Sequence, residues 1–233
     1  MSDAAGPPDP APSTAGVWCI VVAGGAGRRF GTAKQFEQLG GRTVVERAVA
    51  AARPAVEGVV VVVPAEHLGA VSAEALGADS VVAGGATRAG SVRAGLDAVP
   101  MQAEVVLVHD AARPLATTAL FERVRDEVLA GSASVVPVVA VVDTIRRVDG
   151  GVVDRDELRA VQTPQGFDAS TLRRAHERAG EATDDAGLVE ALGVAPTLVE
   201  GERTNLKLTG PEDLTIAASL LAQVSCGGGD SQP

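Results

Sequence analysis

The sequence predicts an α/β fold, a three-layer sandwich on a mostly parallel central sheet, and three observations carry that expectation. Short apolar runs such as GVVVVV at 58–63 have no polar interruption, as strands covered on both faces require. Between them lie segments with apolar residues at helical spacing. Strands and helices then alternate through most of the chain, which implies right-handed crossovers and parallel neighbours.

Taken in order, Val17 to Ala23 is apolar, runs into glycines and reads as a first buried strand. Thr43 to Ala52 spaces Val44, Val45, Ala48 and Val49 as one helical face. A second strand at 58–63 is followed by a weak helix over about 65–76 and a third strand from Ser80 to Ala83. Arg88 to Val99 suits a helix that gathers Val92, Leu96 and Val99. Glu104 to Val108 is a fourth strand, Thr117 to Leu129 a helix with Thr117 or Thr118 as N-cap, and Ala133 to Val139 a fifth strand. The rhythm then breaks. Asp143 to Gln162 has no helical period, and Asp149-Gly150-Gly151 reads as a hairpin turn between short alternating strands. A β-arm projecting from the sheet is expected over about 140–163. Helices return at about 169–180 and 184–192, followed by strands near 195–200 and from Asn205 to Leu208. A last helix starts at Pro211, where proline suits the first helical position.

The 233 residues suffice for one large α/β domain, and no internal repeat or linker divides them. The expected organisation is one domain over 17–224 between disordered tails at 1–16, rich in Pro and Ala, and 225–233. The first residues lack the basic and apolar regions of a secretory signal, and no apolar run reaches the roughly 20 residues of a membrane span. A net charge of −10 argues against a general nucleic-acid binder. With 2% aromatics and no Tyr, the composition also argues against recognition of bases by ring stacking. Cys19 and Cys226 lie far apart without a CxxC pair, which speaks against a disulfide framework or structural zinc and for a cytoplasmic protein.

The stretch AGGAGRRFGTAK, 23–34, invites three readings. A Walker loop needs a Gly-Lys pair, and the chain has none. A dinucleotide fingerprint needs a third glycine where Phe30 stands, and a helix directly after it. The third reading is a long loop that wraps a nucleoside triphosphate. Ala23, Gly24, Gly25 and Gly27 offer backbone N–H groups free of side-chain obstruction, and Arg28 or Arg29 with Lys34 bring charge to the phosphates. Of 20 cationic side chains only Lys34 and Lys207 are lysines, so a compact point charge sits at two positions in a chain that otherwise uses Arg.

A second Gly/Ser loop, AGGATRAGS at 83–91, lies between a strand and a helix, where its amides and the Ser91 hydroxyl could read base edges. VLVHDAARP, 106–114, ends the fourth strand with Asp110, a carboxylate placed for Mg²⁺ bridging to substrate phosphates. His109 reads as a buried histidine satisfied by the backbone, and Arg113 as a cation able to face the same cleft. Together these residues suit attack of an oxyanion on the α-phosphorus of a nucleotide, with Mg²⁺-assisted loss of pyrophosphate.

From about Val17 to Leu221 the chain resembles the 2-C-methyl-D-erythritol 4-phosphate cytidylyltransferase family of the non-mevalonate isoprenoid pathway. The likeness rests on AGGAGRRF…KQF, GGATRAGSV, VLVHDAARP, DT…DR…QTPQGF, ATDDAG and LVEGERTNLKLTGPEDL in that order. It implies a Rossmann-like nucleotidyltransferase fold and a cytoplasmic, Mg²⁺-dependent enzyme. It also implies that CTP and methylerythritol phosphate are joined to 4-diphosphocytidyl-2-C-methyl-D-erythritol and pyrophosphate. By position, Ala23, Gly24, Gly25 and Gly27 would form the CTP loop, with Arg29, Lys34 and Lys207 as catalytic cations. Gly84, Gly85, Arg88, Ser91 and Ala111 would complete the nucleotide site, and Asp110 would be the metal-associated carboxylate. Family members dimerise by exchanging the arm, so Thr144 and Arg155 would reach a partner's acceptor site, with Arg113 and Thr163 nearby. The chain departs from the family pattern at Phe30, Ala33, Gly90, Asp185 and Thr204. A cytidylyltransferase for another polyol phosphate such as ribitol 5-phosphate, a silent nucleotide-binding module and an NAD oxidoreductase are the alternatives; assays with both acceptors, pyrophosphate release and cofactor binding separate them.

Overall fold

The computed structural model describes residues 14–24, 34–178 and 182–227. Its strands are β1 (Val17–Val22), β2 (Gln38–Leu39), β3 (Arg42–Thr43), β4 (Gly58–Val63), β5 (Ser80–Ala83) and β6 (Val105–Asp110). They continue with β7 (Ser134–Ala140), β8 (Ile145–Arg146), β9 (Val152–Val153), β10 (Arg159–Val161), β11 (Gln165–Asp168) and β12 (Thr197–Glu200). The helices are α1 (Val44–Ala52), α2 (Ala73–Leu76), α3 (Arg88–Ala98), α4 (Thr118–Leu129), α5 (Ala169–Glu177), α6 (Asp185–Glu190) and α7 (Pro211–Gly227).

The central sheet runs β7-β11-β6-β1-β4-β5, with β12 parallel on the outer side of β7 and β10 antiparallel along its far end. β1 pairs in parallel with both β4 and β6, and β11 enters antiparallel between β6 and β7. Alternation along each strand feeds two cores. Cys19, Val21, Val59, Val61 and Leu107 pack with α1 and α4 on one face. Ile20, Val60, Val62, Val106 and Val108 pack with α3, α5 and α6 on the other. Three layers follow from strands that are apolar on both sides.

Helix starts match the sequence's cap residues. Thr43 and Glu46 form a reciprocal capping box at α1. Thr87 caps α3, and Thr117, rather than Thr118, caps α4. The weak helix expected over 65–76 is instead a 3-10 turn, Ala65–His67, and the single turn α2. The strand expected from Asn205 to Leu208 is absent; the segment forms no ladder, its Asn205 and Leu206 amides close turns onto Glu202 O and Thr204 O, and its Leu208 N–H donates to Ala112 O at 2.8 Å. α7 runs to Gly227, past the expected boundary at 224.

The arm leaves the sheet from β7 and returns through β10. Its tip is the β8–β9 hairpin, turned at Gly150 and Gly151, whose φ values of 112° and 83° favour glycine. Thr163-Pro164, at the end of the arm, is a cis peptide.

Candidate active site

The carboxyl ends of β1, β5 and β6 meet at one edge of the sheet, the place where open α/β sheets bind ligands. An open cleft of about 210 Å³ lies there, lined by Ala23, Gly24, Lys34, Gln35, Arg88, Asp110, Ala111 and Lys207 among others. Lys34 and Lys207, far apart in sequence, share it. Lys34 Nζ donates to the Leu208 carbonyl at 2.8 Å, one residue beyond Lys207. Lys207 Nζ reaches Asp110 Oδ2 at 2.6 Å. Arg88 stands on the other side of Asp110, 3.5 Å from Oδ1. Burial raises the Asp110 carboxyl, but Arg88 and Lys207 outweigh it and hold the group at about 2, so it is ionised. Burial lowers Arg88, while the charges of Asp185 and Asp110 raise it further and leave it above its ordinary range.

The network extends inward. Arg88 Nη1 pairs with Asp185 Oδ2 at 2.7 Å, and His176 Nε2 meets Asp185 Oδ1 at 3.0 Å. Asp185 is fully buried and His176 nearly so. Sequence reasoning places neither in the site; Asp185 enters it only within ATDDAG and as a departure from the family pattern, with no hint of a partner near residue 88. It overlooks Gln35 too. That residue is buried, lines the cleft, and its amide oxygen has no hydrogen-bond partner among the described residues.

Other expectations need correction. The Ala23 N–H is not open to a phosphate, because the parallel ladder continues one residue past β1 and the amide donates to Val62 O at 2.8 Å. Gly84 likewise donates to Val63 O at 2.7 Å. Ser91 is buried against Gly24 and Gly84, and its hydroxyl donates to Thr87 O at 3.0 Å, so what it can offer a base is an acceptor. Gly85 has a steric reason to be glycine: a Cβ there would lie 2.9 Å from the Gly90 backbone. Arg29, Gly25 and Gly27 lie outside the described residues.

Arg113 and Thr163 do not line the cleft; they brace its walls. Arg113 donates to Asn205 O at 2.7 Å and to Val161 O at 3.0 Å, tying the root of the arm to the segment that carries Lys207. The Asp110 N–H donates to Thr163 Oγ1 at 3.1 Å. His109 fits its expected structural part. It is fully buried between Arg113 O at 3.2 Å and Thr163 Oγ1 at 3.1 Å, and burial holds it down at about 4, so the ring is neutral. With Nε2 donating to Arg113 O, Nδ1 is left to accept the Thr163 hydroxyl. Thr144 and Arg155 sit elsewhere, around a separate hollow on the arm with Val152, Val153 and Asp154.

No group of three or more His, Cys, Asp or Glu gathers as a cation cage among the described residues. A single carboxylate is nonetheless what Mg²⁺ asks of a protein when substrate phosphates and water complete its shell. Asp110, ionised and facing the cleft, fits that requirement.

A family model described as 2-C-methyl-D-erythritol 4-phosphate cytidylyltransferase matches residues 17–223. The enzyme of that name from Rhodococcus opacus (strain B4) is 49% identical over 217 residues, which cover 89% of this chain and 96% of the relative. The crystal structure of 2-C-methyl-D-erythritol 4-phosphate cytidylyltransferase from Thermus thermophilus superposes with a TM-score of 0.75 at 42% identity, covering 87% of this chain and 98% of that one. The 4-diphosphocytidyl-2C-methyl-D-erythritol synthase from Anaerococcus prevotii superposes with a TM-score of 0.77 at 28% identity, covering 88% and 96%.

Proposed function

The chain belongs to the 2-C-methyl-D-erythritol 4-phosphate cytidylyltransferase family, and from that premise we infer how its cleft works. It joins CTP and 2-C-methyl-D-erythritol 4-phosphate to give 4-diphosphocytidyl-2-C-methyl-D-erythritol and pyrophosphate, a step in isoprenoid precursor synthesis. An oxygen of the acceptor phosphate attacks the CTP α-phosphorus; a new P–O bond forms there as the bond to the β-phosphate oxygen breaks, and pyrophosphate carries off the electron pair. Such a transfer needs positioning and neutralised charge more than covalent chemistry.

Lys34 and Lys207 flank the triphosphate and oppose the charge that grows on its α-phosphate. Arg29 is the third cation of the proposed catalytic set. Gly24 and Gly84 make room for the Ser91 side chain and Gly85 for the Gly90 backbone, and the Ser91 oxygen can accept from the cytosine amino group, a donor. Asp110 would hold Mg²⁺, which supplies Lewis-acid charge neutralisation when bound. Arg113 and Thr163 keep Asp110 and Lys207 in place rather than gripping substrate.

The acceptor is gripped by Thr144 and Arg155 of a second copy of the chain, paired through the arm. Two features support this reading: both residues lie apart from the cleft, and Val142, Val148, Val152 and Val161 leave apolar surface exposed along the arm. A single catalytic unit from residue 17 to the end of α7, working in the cytoplasm, completes the reading, in keeping with the buried free thiol of Cys19. No helix among the described residues is long and apolar enough to cross a membrane.

The meeting of Lys34, Lys207 and Asp110 on one cleft carries the proposal. Pyrophosphate release with CTP, Mg²⁺ and each of two acceptors tests it. Release with methylerythritol phosphate is expected; release with ribitol 5-phosphate alone, or with neither, would overturn it.

A further inference from the structure

Asp185 forms no part of the cleft wall, yet the fold aims it with several bonds. Asp184 caps α6 by accepting the Gly187 N–H at 3.0 Å. Gln165 of β11 donates to the other Asp184 oxygen at 2.7 Å and accepts the Ala186 N–H at 3.3 Å. The next side chain, Asp185, is thereby sent inward to His176 and Arg88.

A buried carboxylate needs a counter-charge. Arg88 supplies one, but Arg88 is shared. Its Nη1 lies 2.7 Å from Asp185 Oδ2, while its Nε and Nη2 both face Asp110 Oδ1 at 3.5 Å, so it leans towards the interior partner. Lys207 grips the other oxygen of Asp110. Asp110 Oδ1 is therefore only loosely held. Without the charge of Asp185, Arg88 can close its Nε and Nη2, both already facing Asp110 Oδ1, onto that oxygen as a tight charge-assisted pair.

We propose that Asp185 is a positioning residue for nucleotidyl transfer: by drawing Arg88 towards itself, it keeps one oxygen of Asp110 open to a divalent cation carried by the triphosphate. This rests on the reading of the cleft as a Mg²⁺–CTP site.

The test measures CTP binding by calorimetry across a Mg²⁺ titration, without acceptor, beside steady-state pyrophosphate release. Asp185→Asn should raise the Mg²⁺ needed for half-maximal CTP binding about tenfold, the scale on which groups behind a metal ligand act. Asp185→Glu should recover most of the wild-type requirement. Arg88→Lys, with a single point charge unable to span two carboxylates, should raise the requirement as Asp185→Asn does. The double variant should be no worse than the worse single one, because both break the same link. If Asp185→Asn does not fold, Arg88→Lys and Asp185→Glu decide. An unchanged Mg²⁺ requirement with only a lowered melting temperature, or effects that multiply in the double variant, would overturn the proposal. A wild type that neither binds CTP nor releases pyrophosphate would overturn the reading beneath it, and that result is distinct from an active wild type indifferent to Asp185.

Discussion

The strand-end cleft and the arm hold their functional groups in opposite ways. In the cleft the charges hold one another or the backbone: Lys207 pairs with Asp110, Asp110 with Arg88, Arg88 with Asp185, and Lys34 with the Leu208 carbonyl. Its walls are braced from behind by His109, Arg113 and Thr163. On the arm, Arg155 donates to the Val142 carbonyl, and the neighbouring valines face solvent. A preorganised cleft can bind a triphosphate with little rearrangement, which is what charge stabilisation in a transition state requires. Side chains on an exposed hairpin gain their geometry only against a second surface. On the proposed reading, one chain would carry the nucleotide half of the reaction and lend the acceptor half to a second copy.

The largest expected effect lies in the cleft. Lys34→Ala or Lys207→Ala should lower turnover by about 10²-fold or more, as loss of one preorganised charge stabiliser does, while calorimetric CTP binding suffers less. Wild-type turnover in either variant would remove that lysine from the catalytic set and blur the contrast with the arm.

The arm gives the next effect. Arg155→Ala should weaken the acceptor's apparent affinity about tenfold, with CTP binding unchanged, as expected when one charge-assisted contact to a phosphate is lost. Mixed with Lys34→Ala protomers, it should form heterodimers with one restored site. Full subunit exchange with no recovered activity would show that arm and cleft serve the same chain.

Helix α5, behind the cleft, offers a smaller effect and a pH signature. Asp168 caps it, accepting from the Thr171 N–H at 2.8 Å. Partial burial raises its carboxyl, but bonds from Ser170 and Thr171 outweigh that and hold it below the ordinary aspartate range. A carboxyl depressed on folding stabilises above its unfolded value and loses that contribution as acid protonates it. Asp168→Ala should therefore cost about 1 kcal/mol near neutral pH in urea unfolding. The gap to wild type should shrink as pH falls from about 5 towards 3. A gap independent of pH would assign the cost to packing instead.

The smallest effect is expected at the arm tip. Val148 is fully exposed, and Val148→Ser should change the stability of the chain by no more than about 0.5 kcal/mol. A large loss measured on dilute, monomeric protein would mean that the hairpin packs on its own sheet.

The cleft is legible in the sequence because its chemistry is written in rare choices: two lysines among twenty cations, glycines after an apolar strand, an Asp closing another. The arm is legible from a broken helical rhythm and the Asp149-Gly150-Gly151 turn. What stays hidden depends on distant partners. β11 has one large apolar residue, Phe167, and is a strand because β6 and β7 leave a slot for it. Asn205 to Leu208 looks like a strand in isolation, yet its amides are taken up by Glu202 O, Thr204 O and Ala112 O instead of a ladder. The Ala23 amide looks open because nothing local announces that Val62 takes it. The link from His176 through Asp185 to Arg88 joins three segments whose spacing carries no motif.

A structure of the protein with CTP and Mg²⁺ tests the central claim most directly. It should hold the triphosphate at the ends of β1, β5 and β6, with the ammonium groups of Lys34 and Lys207 both within hydrogen-bonding distance of phosphate oxygens. A nucleotide bound on another surface, or phosphates touched by only one of the two lysines, would contradict the account.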